Sequence, residues 1–164
     1  MQHAQAIALR SLLESAQVAA LATLHKGQPA ASMVPYALLP QGQGFVIHVS
    51  RLATHTADMM AHANVALLVV APPASAPAAR ELARASIQAR VQTISPGSNN
   101  HALASQCYLA RFPESADTFG FSDFSLLRLA VQSVRFVGGF ANTSSIMAAR
   151  FEAIMSDPGE PGAD

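Results

Sequence analysis

Phe45-Val46-Ile47-His48-Val49-Ser50-Arg51-Leu52-Ala53-Thr54-His55-Thr56 is the stretch on which the fold turns. Its first six residues form a short apolar run rich in β-branched side chains, the signature of a strand. From Thr54 to Ala63 the composition changes to that of a short helix. Thr54 suits its N-cap, and Asp58 lies near the first turn, where a negative charge complements the helix dipole. The junction gathers three hydroxyls, one guanidinium and two imidazoles where the first helical N–H groups lack intrahelical acceptors. Such a set of donors cradles a phosphate without a glycine-rich loop. Ser and Thr also cap helices at such places and Arg51 also serves as a solvated charge, so local chemistry leaves both readings open.

Upstream, Leu9, Leu12, Leu13 and Ala16 recur at helical spacing within Ala4 to Gln17, giving an amphipathic helix. Val18 to His25, the break Lys26-Gly27-Gln28, and the apolar segment Pro29 to Leu39 read as a hairpin. Pro40 to Gly44 is a second turn, leading into the strand Phe45 to Ser50.

Downstream, Val65 to Ala71 returns to a strand, and Pro72 to Ala79 is a Pro- and Ala-rich loop. Ala85, Ile87, Ala89 and Val91 alternate with Ser86, Gln88, Arg90 and Gln92, which predicts a strand with one buried face. A helix is expected around Asn100 to Ala110, ended by Phe112-Pro113-Glu114. Two strands, Phe124 to Val131 and Val134 to Phe140, are expected to join at Gln132-Ser133, and helical spacing resumes over Ser144 to Met155. Gly138-Gly139 suggests a bulge, a bend or a close backbone approach. About seven strands arriving mainly as hairpins predict a mainly β fold with flanking helices, an antiparallel barrel. Residues 1–155 are expected to form a single domain, with a loose tail over 156–164.

Composition narrows the function classes. Ten basic and ten acidic residues cancel, and no two basic residues are adjacent, which argues against nucleic acid or an anionic membrane as partner. No targeting segment or membrane span is read, so the expectation is a soluble, cytoplasmic protein, in keeping with the lone Cys107. With 12% charged residues and 51% apolar ones, some apolar surface is expected to meet a second subunit or a ligand. His55, Asp58 and His62 share a helix face where a metal could be held, but a solvated polar face is the expectation and no metal is assigned. Cys107 reads as an inert thiol; His25 and His48 read as structural or surface residues, with His48 near enough to the junction to stay a candidate. There is no dinucleotide fingerprint, nucleophile elbow or glycosidase carboxylate pair.

Ser32-Met-Val-Pro-Tyr-Ala37, followed by Val46 to Thr56 and Val65-Ala-Leu-Leu-Val69, resembles the pyridoxamine 5′-phosphate oxidase-like family of FMN-binding split barrels. The branch that includes heme-utilisation and heme-oxygenase-like members is the most similar. The similarity extends through Tyr108 to Pro113, Phe124 to Leu129 and Val137-Gly-Gly-Phe140. It implies a split antiparallel barrel and a homodimer with FMN at the subunit interface. By position, Val49, Ser50, Arg51, His55 and Thr56 would lie at the phosphate, Ser32, Met33, Val34 and Pro35 along the ring and ribityl chain, and Gln88 at the ring or the ribityl chain. The implied function is an FMN-dependent oxidoreductase acting on a small molecule, with no catalytic residue identified. Heme binding or degradation is the alternative, as is a flavin carrier without turnover. Thr54-His55-Thr56 replaces the Arg-Lys pair usual in enzymes that oxidise pyridoxamine phosphate, and the chain has no tryptophan, so that activity is not expected. Ala141-Asn142-Thr143 follows the Gly-Gly-Phe turn where heme-degrading relatives often carry a basic residue.

Overall fold

The computed structural model describes residues 1–139 and 142–157. Helix α1 (His3–Ser15) leads into β1 (Val18–His25), β2 (Gln28–Pro35), β3 (Ala37–Leu38) and β4 (Phe45–Ser50). Helix α2 (Thr54–Ala61), β5 (Asn64–Val70), β6 (Arg84–Thr93) and α3 (Asn99–Arg111) follow, then β7 (Phe124–Val137), β8 (Thr143–Met147) and α4 (Ala148–Ser156).

Turn chemistry sets the first hairpin. Lys26 (φ 51°) and Gly27 (φ 77°) both adopt positive φ, the two-residue turn whose twist suits antiparallel strands. It pairs His25 with Gln28 and fixes the ladder up to Val18 opposite Pro35. A two-residue turn closes on a hydrogen-bonded pair, so every second residue from Gln28 bonds to β1. Pro29, Ala31, Met33 and Pro35 then present their backbone to the other edge of β2, where the two prolines lack an N–H to expose.

The sheet runs β2-β1-β5-β6-β7-β4-β3, with β8 on β7, and every pairing is antiparallel. Its two end strands, β2 and β3, are separated in the chain by Tyr36 alone. One chain segment thus pairs with β1 in its first half and β4 in its second, curling the sheet into a barrel. Tyr36 is fully buried, its amide donates to the Gln17 carbonyl, and its hydroxyl donates to the Leu13 carbonyl at 2.8 Å. The apolar segment expected from Pro29 to Leu39 is therefore two strands with a change of partner.

Inside the barrel, Leu21, Ile47, Leu67, Ile87, Leu129 and Phe136 form the main core, closed by α1 and α4. A second core lies outside it, where Val46 and Leu126 meet Ala104, Tyr108 and Phe112 of α3 and its end. Strand β4 is buried on both faces over Phe45, Val46 and Ile47, which is why its sequence there is an unbroken apolar run.

Three expectations are corrected. Phe124 to Val137 is one strand, without reversal at Gln132-Ser133. Gln88 faces Ser133 and Ala89 faces Val131, so Gln132 is the extra residue of a bulge. Neither Gln132 nor Ser133 takes a positive φ, and the bent strand serves β4 with its first half and β8 with its second. Second, Thr143–Met147 is strand β8, so helix α4 begins only at Ala148. Third, Thr54 is the first residue of α2, and its cap is Ala53, without a side-chain capping bond. Among the described residues eight strands stand where about seven are expected. The expected tail starts at Ser156, the last residue of α4; residues 158–164, Phe140 and Ala141 lie outside the described residues. Among the described residues no helix is long and apolar enough to cross a membrane.

Candidate functional site

Strand β4 ends at Ser50, and the chain turns through Arg51, Leu52 and Ala53 into α2. Pairing of β4 with β7 sets Ser50 opposite Phe124 and brings in Asp123, a residue the sequence gives no reason to connect with the junction. The Ser50 hydroxyl donates to Asp123 Oδ2 at 2.7 Å and accepts from the Leu52 amide at 3.1 Å. Arg51 donates its amide to the Asp123 carbonyl at 2.7 Å and its Nη2 to the Ser122 carbonyl. Thr56 is buried, and its hydroxyl donates to the Ser50 carbonyl at 2.7 Å. Ser50 and Thr56 thus hold the bend, their protons already committed. Among the described residues the amides of Thr54 and His55, first in α2, have no backbone acceptor. With the remaining guanidinium N–H groups of Arg51 and the His55 ring, they form a donor set at the start of the helix. Burial lowers the His55 pKa more than nearby Asp58 raises it, so the imidazole is neutral at pH 7.

Strand alternation divides the residues expected along a cofactor ring. Met33 lies on the outer face of the sheet, 61% exposed opposite Ala20, and Pro35 shares that face opposite Val18. Val34 points into the main core opposite Ala19, and Val49 is likewise a core residue. Ser32 faces inward beside Leu21, and its buried hydroxyl has no hydrogen-bond partner. Gln88 is exposed on the outer face of β6 opposite Ala66. That puts it three strand spacings from Ala31, about 14 Å within one chain. The sequence therefore names two groups: the junction, and the outer sheet face bearing Met33 and Gln88.

The outer face of β2, β1 and β5 is apolar over Val18, Ala20, Ala31, Met33, Leu68 and Val70, all exposed. Arg84 and Arg135 border it on β6 and β7, one beside Val70 and the other beside Ser86.

Asp58 is not on a solvated helix face. It is 6% exposed, accepting from Thr23 Oγ1 at 3.2 Å and meeting His25 Nδ1 at 2.8 Å, which ties α2 to β1. Spacing along α2 offered no sign of this, because both partners lie on another element. No group of three metal-ligating residues occurs among the described residues. His48 sits within an aromatic cluster, stacked on Phe119 at 4.2 Å and near Phe124 at 4.8 Å. Desolvation lowers its pKa, and Cys107 has its own pKa raised by burial.

Comparison with known proteins follows the same lines. A family model described as pyridoxamine 5′-phosphate oxidase matches residues 6–138. The chain is 27% identical over 157 residues to the chloroplastic heme oxygenase HOZ of Arabidopsis thaliana, covering 92% of this chain and 46% of that protein. A heme binding protein from Mycobacterium smegmatis superposes with a TM-score of 0.83 at 28% identity, covering 93% of this chain and 62% of that one. A FAD-binding protein from Mesorhizobium loti shares the fold with a TM-score of 0.62 at 15% identity, covering 82% and 92%. This chain thus spans about half the curated relative and under two thirds of the mycobacterial structure. A match over most of the chain, on a split antiparallel barrel, makes this protein a member of the pyridoxamine 5′-phosphate oxidase family.

Proposed function

We propose that the protein is a homodimeric, FMN-binding oxidoreductase of the cytoplasm that acts on a small molecule, with the flavin between subunits. The observation that carries this reading is the donor set at the start of α2: the amides of Thr54 and His55, the Arg51 guanidinium and the neutral His55 ring. These groups would hold the phosphate. Ser50 and Thr56 would position the bend, and the Ser50 hydroxyl keeps the Asp123 carboxylate hydrogen-bonded beside it. On β2 the free edge, exposed Met33 and the partnerless Ser32 hydroxyl are the features suited to a ring. FMN, when bound, supplies hydride or electron transfer; the chain supplies binding and a fixed electrostatic setting.

The apolar outer face supports the dimer. A sheet face carrying Val18, Met33, Leu68 and Val70, in a chain so poor in charge, is better suited to a second copy than to water. Gln88, distant from β2 in its own chain, would reach the flavin from the partner. The half-buried thiol of Cys107 agrees with a reducing compartment.

A heme protein is the second reading. It is favoured by the two heme-named relatives and by Arg84 and Arg135, which border the apolar face where propionates would need cations.

Titration with FMN, riboflavin and hemin separates the two. Each charge-assisted contact contributes about 1.5–3 kcal/mol, so riboflavin, which loses several of them together, should bind more weakly than FMN by on the order of a hundredfold or more. Arg51→Ala and His55→Ala should each weaken FMN binding without lowering thermal stability. Equal affinity for FMN and riboflavin, or a Soret band with no flavin binding, overturns the first reading. Turnover with a reduced nicotinamide donor then separates an enzyme from a carrier.

A further inference from the structure

We propose that a cavity beneath the start of α3, with Arg128 in its wall, binds a small organic carboxylate. The cavity has a volume of about 210 Å³ and is bounded by the end of β6, the following turn, α3 and β7. The space holds several waters and suits a ligand smaller than a drug-sized one.

Arg128 determines the ligand's sign. It stands on β7 opposite Val46 and Gln92, and its Nε donates to the Gln43 carbonyl at 2.8 Å in a half-buried setting. No carboxylate partners it: the one ion pair among the described residues is His25–Asp58, and the cavity wall contains neither Asp nor Glu. A partly desolvated cation without a counter-charge is costly, and one bond through Nε fixes the guanidinium plane while leaving its terminal nitrogens available. A planar carboxylate meets that fork in a bidentate manner. Thr93, Ser95 and Asn100 supply further hydrogen-bonding side chains around it.

The remaining wall determines the rest of the ligand. Leu39, Ile94, Leu103 and Ala104 give the cavity an apolar side, which suits a hydrocarbon or aromatic body and gives nothing to a bare inorganic ion. The site is separate from the junction, since Val46, the β4 partner of Arg128, precedes Ser50 by four residues, about 14 Å along the strand.

Amide chemical shifts of the ¹⁵N-labelled full chain, titrated with benzoate, hexanoate, benzamide and inorganic phosphate, test the proposal. Benzoate or hexanoate should move the amides of Thr93, Ser95, Asn100 and Leu103 to saturation. Benzamide, of the same shape without the charge, and phosphate, charged without an apolar body, should bind at least tenfold more weakly. Arg128→Gln should lose tenfold or more in benzoate affinity with FMN titration unchanged, and Arg128→Lys should fall between. Failure of both carboxylates to shift these amides at millimolar concentration overturns the proposal. Benzamide or phosphate binding as tightly as benzoate, or full benzoate affinity in folded Arg128→Gln, does the same. If the arginine variants do not fold, the benzoate-to-benzamide comparison in the parent chain decides.

Discussion

Replacing Asp58 by alanine tests whether the buried carboxylate, and not the helix dipole, is what that residue serves. Asp58 is 6% exposed on α2 and accepts from the equally buried Thr23 hydroxyl at 3.2 Å and from His25 Nδ1 at 2.8 Å. Removing it strands the Thr23 hydroxyl, which costs about 1–3 kcal/mol. The His25 contact adds less, because that side chain is 44% exposed; a solvent-screened pair contributes about 0–1 kcal/mol. Asp58→Ala should therefore destabilise by about 1–4 kcal/mol, and Asp58→Asn, which keeps an acceptor of the same shape, by about 1 kcal/mol. Thr23→Val in the Asp58→Ala background removes the stranded hydroxyl, so the double variant should be more stable than the two single losses summed, by about 1 kcal/mol or more. Urea unfolding at one fixed protein concentration measures all five proteins, since the midpoint of the proposed dimer would depend on concentration. An Asp58→Ala loss below about 0.5 kcal/mol, or an additive cycle, refutes the reasoning.

His48 should make stability acid-sensitive: its pKa is lowered from 6.5 by burial among aromatic rings, so the folded state favours the neutral ring. That contribution is fully present above pH 6.5 and is lost as the pH falls through the depressed value; His48→Phe should flatten the stability profile there, which urea midpoints across pH 4.5–7.5 would reveal. Gly44→Ala should destabilise by more than about 2 kcal/mol, because φ is +105° and an added Cβ would stand 2.3 Å from the Leu129 carbonyl oxygen; thermal unfolding reads this. Met33→Glu with Leu68→Glu places charges in one cross-strand row beside Ala20 and should convert the proposed dimer to monomer in light scattering, while the far-ultraviolet circular dichroism of the barrel is kept.

The junction illustrates how far a sequence reaches into a site. Arg51, His55 and the first amides of α2 are neighbours in the chain, so the donor set is legible without a structure. Asp123 is not, because it arrives through the β4–β7 ladder from 73 residues beyond Ser50. That single arrival gives the Ser50 hydroxyl a carboxylate partner that chain neighbours do not supply. Met33 and Val34 were named together, yet alternation sends one to the outer face and the other to the core. The cavity at Arg128 draws on a turn, two strands and a helix; Gln92 to Ser95 are neighbours in the chain, but Arg128 reaches them only through the β6–β7 ladder.

By itself the sequence determined what neighbouring residues control. Lys26-Gly27 sets a hairpin because that turn needs positive φ, β6 shows its buried face by alternation, and β4 shows itself as a strand by its short apolar, β-branched run. Only the tertiary structure decided which distant segments meet. A hairpin and one continuous, bulged strand both put two apolar runs around Gln132-Ser133; β4, β6 and β8, pairing with different lengths of β7, select the continuous one. Tyr36 reads as one more apolar residue until β1 and β4 compete for its strand, and burial of its hydroxyl against α1 marks where the partner changes. Asp58 belongs to a helix face by spacing, but whether that face meets water or β1 depends on packing, because periodicity gives a direction around a helix and not what lies there.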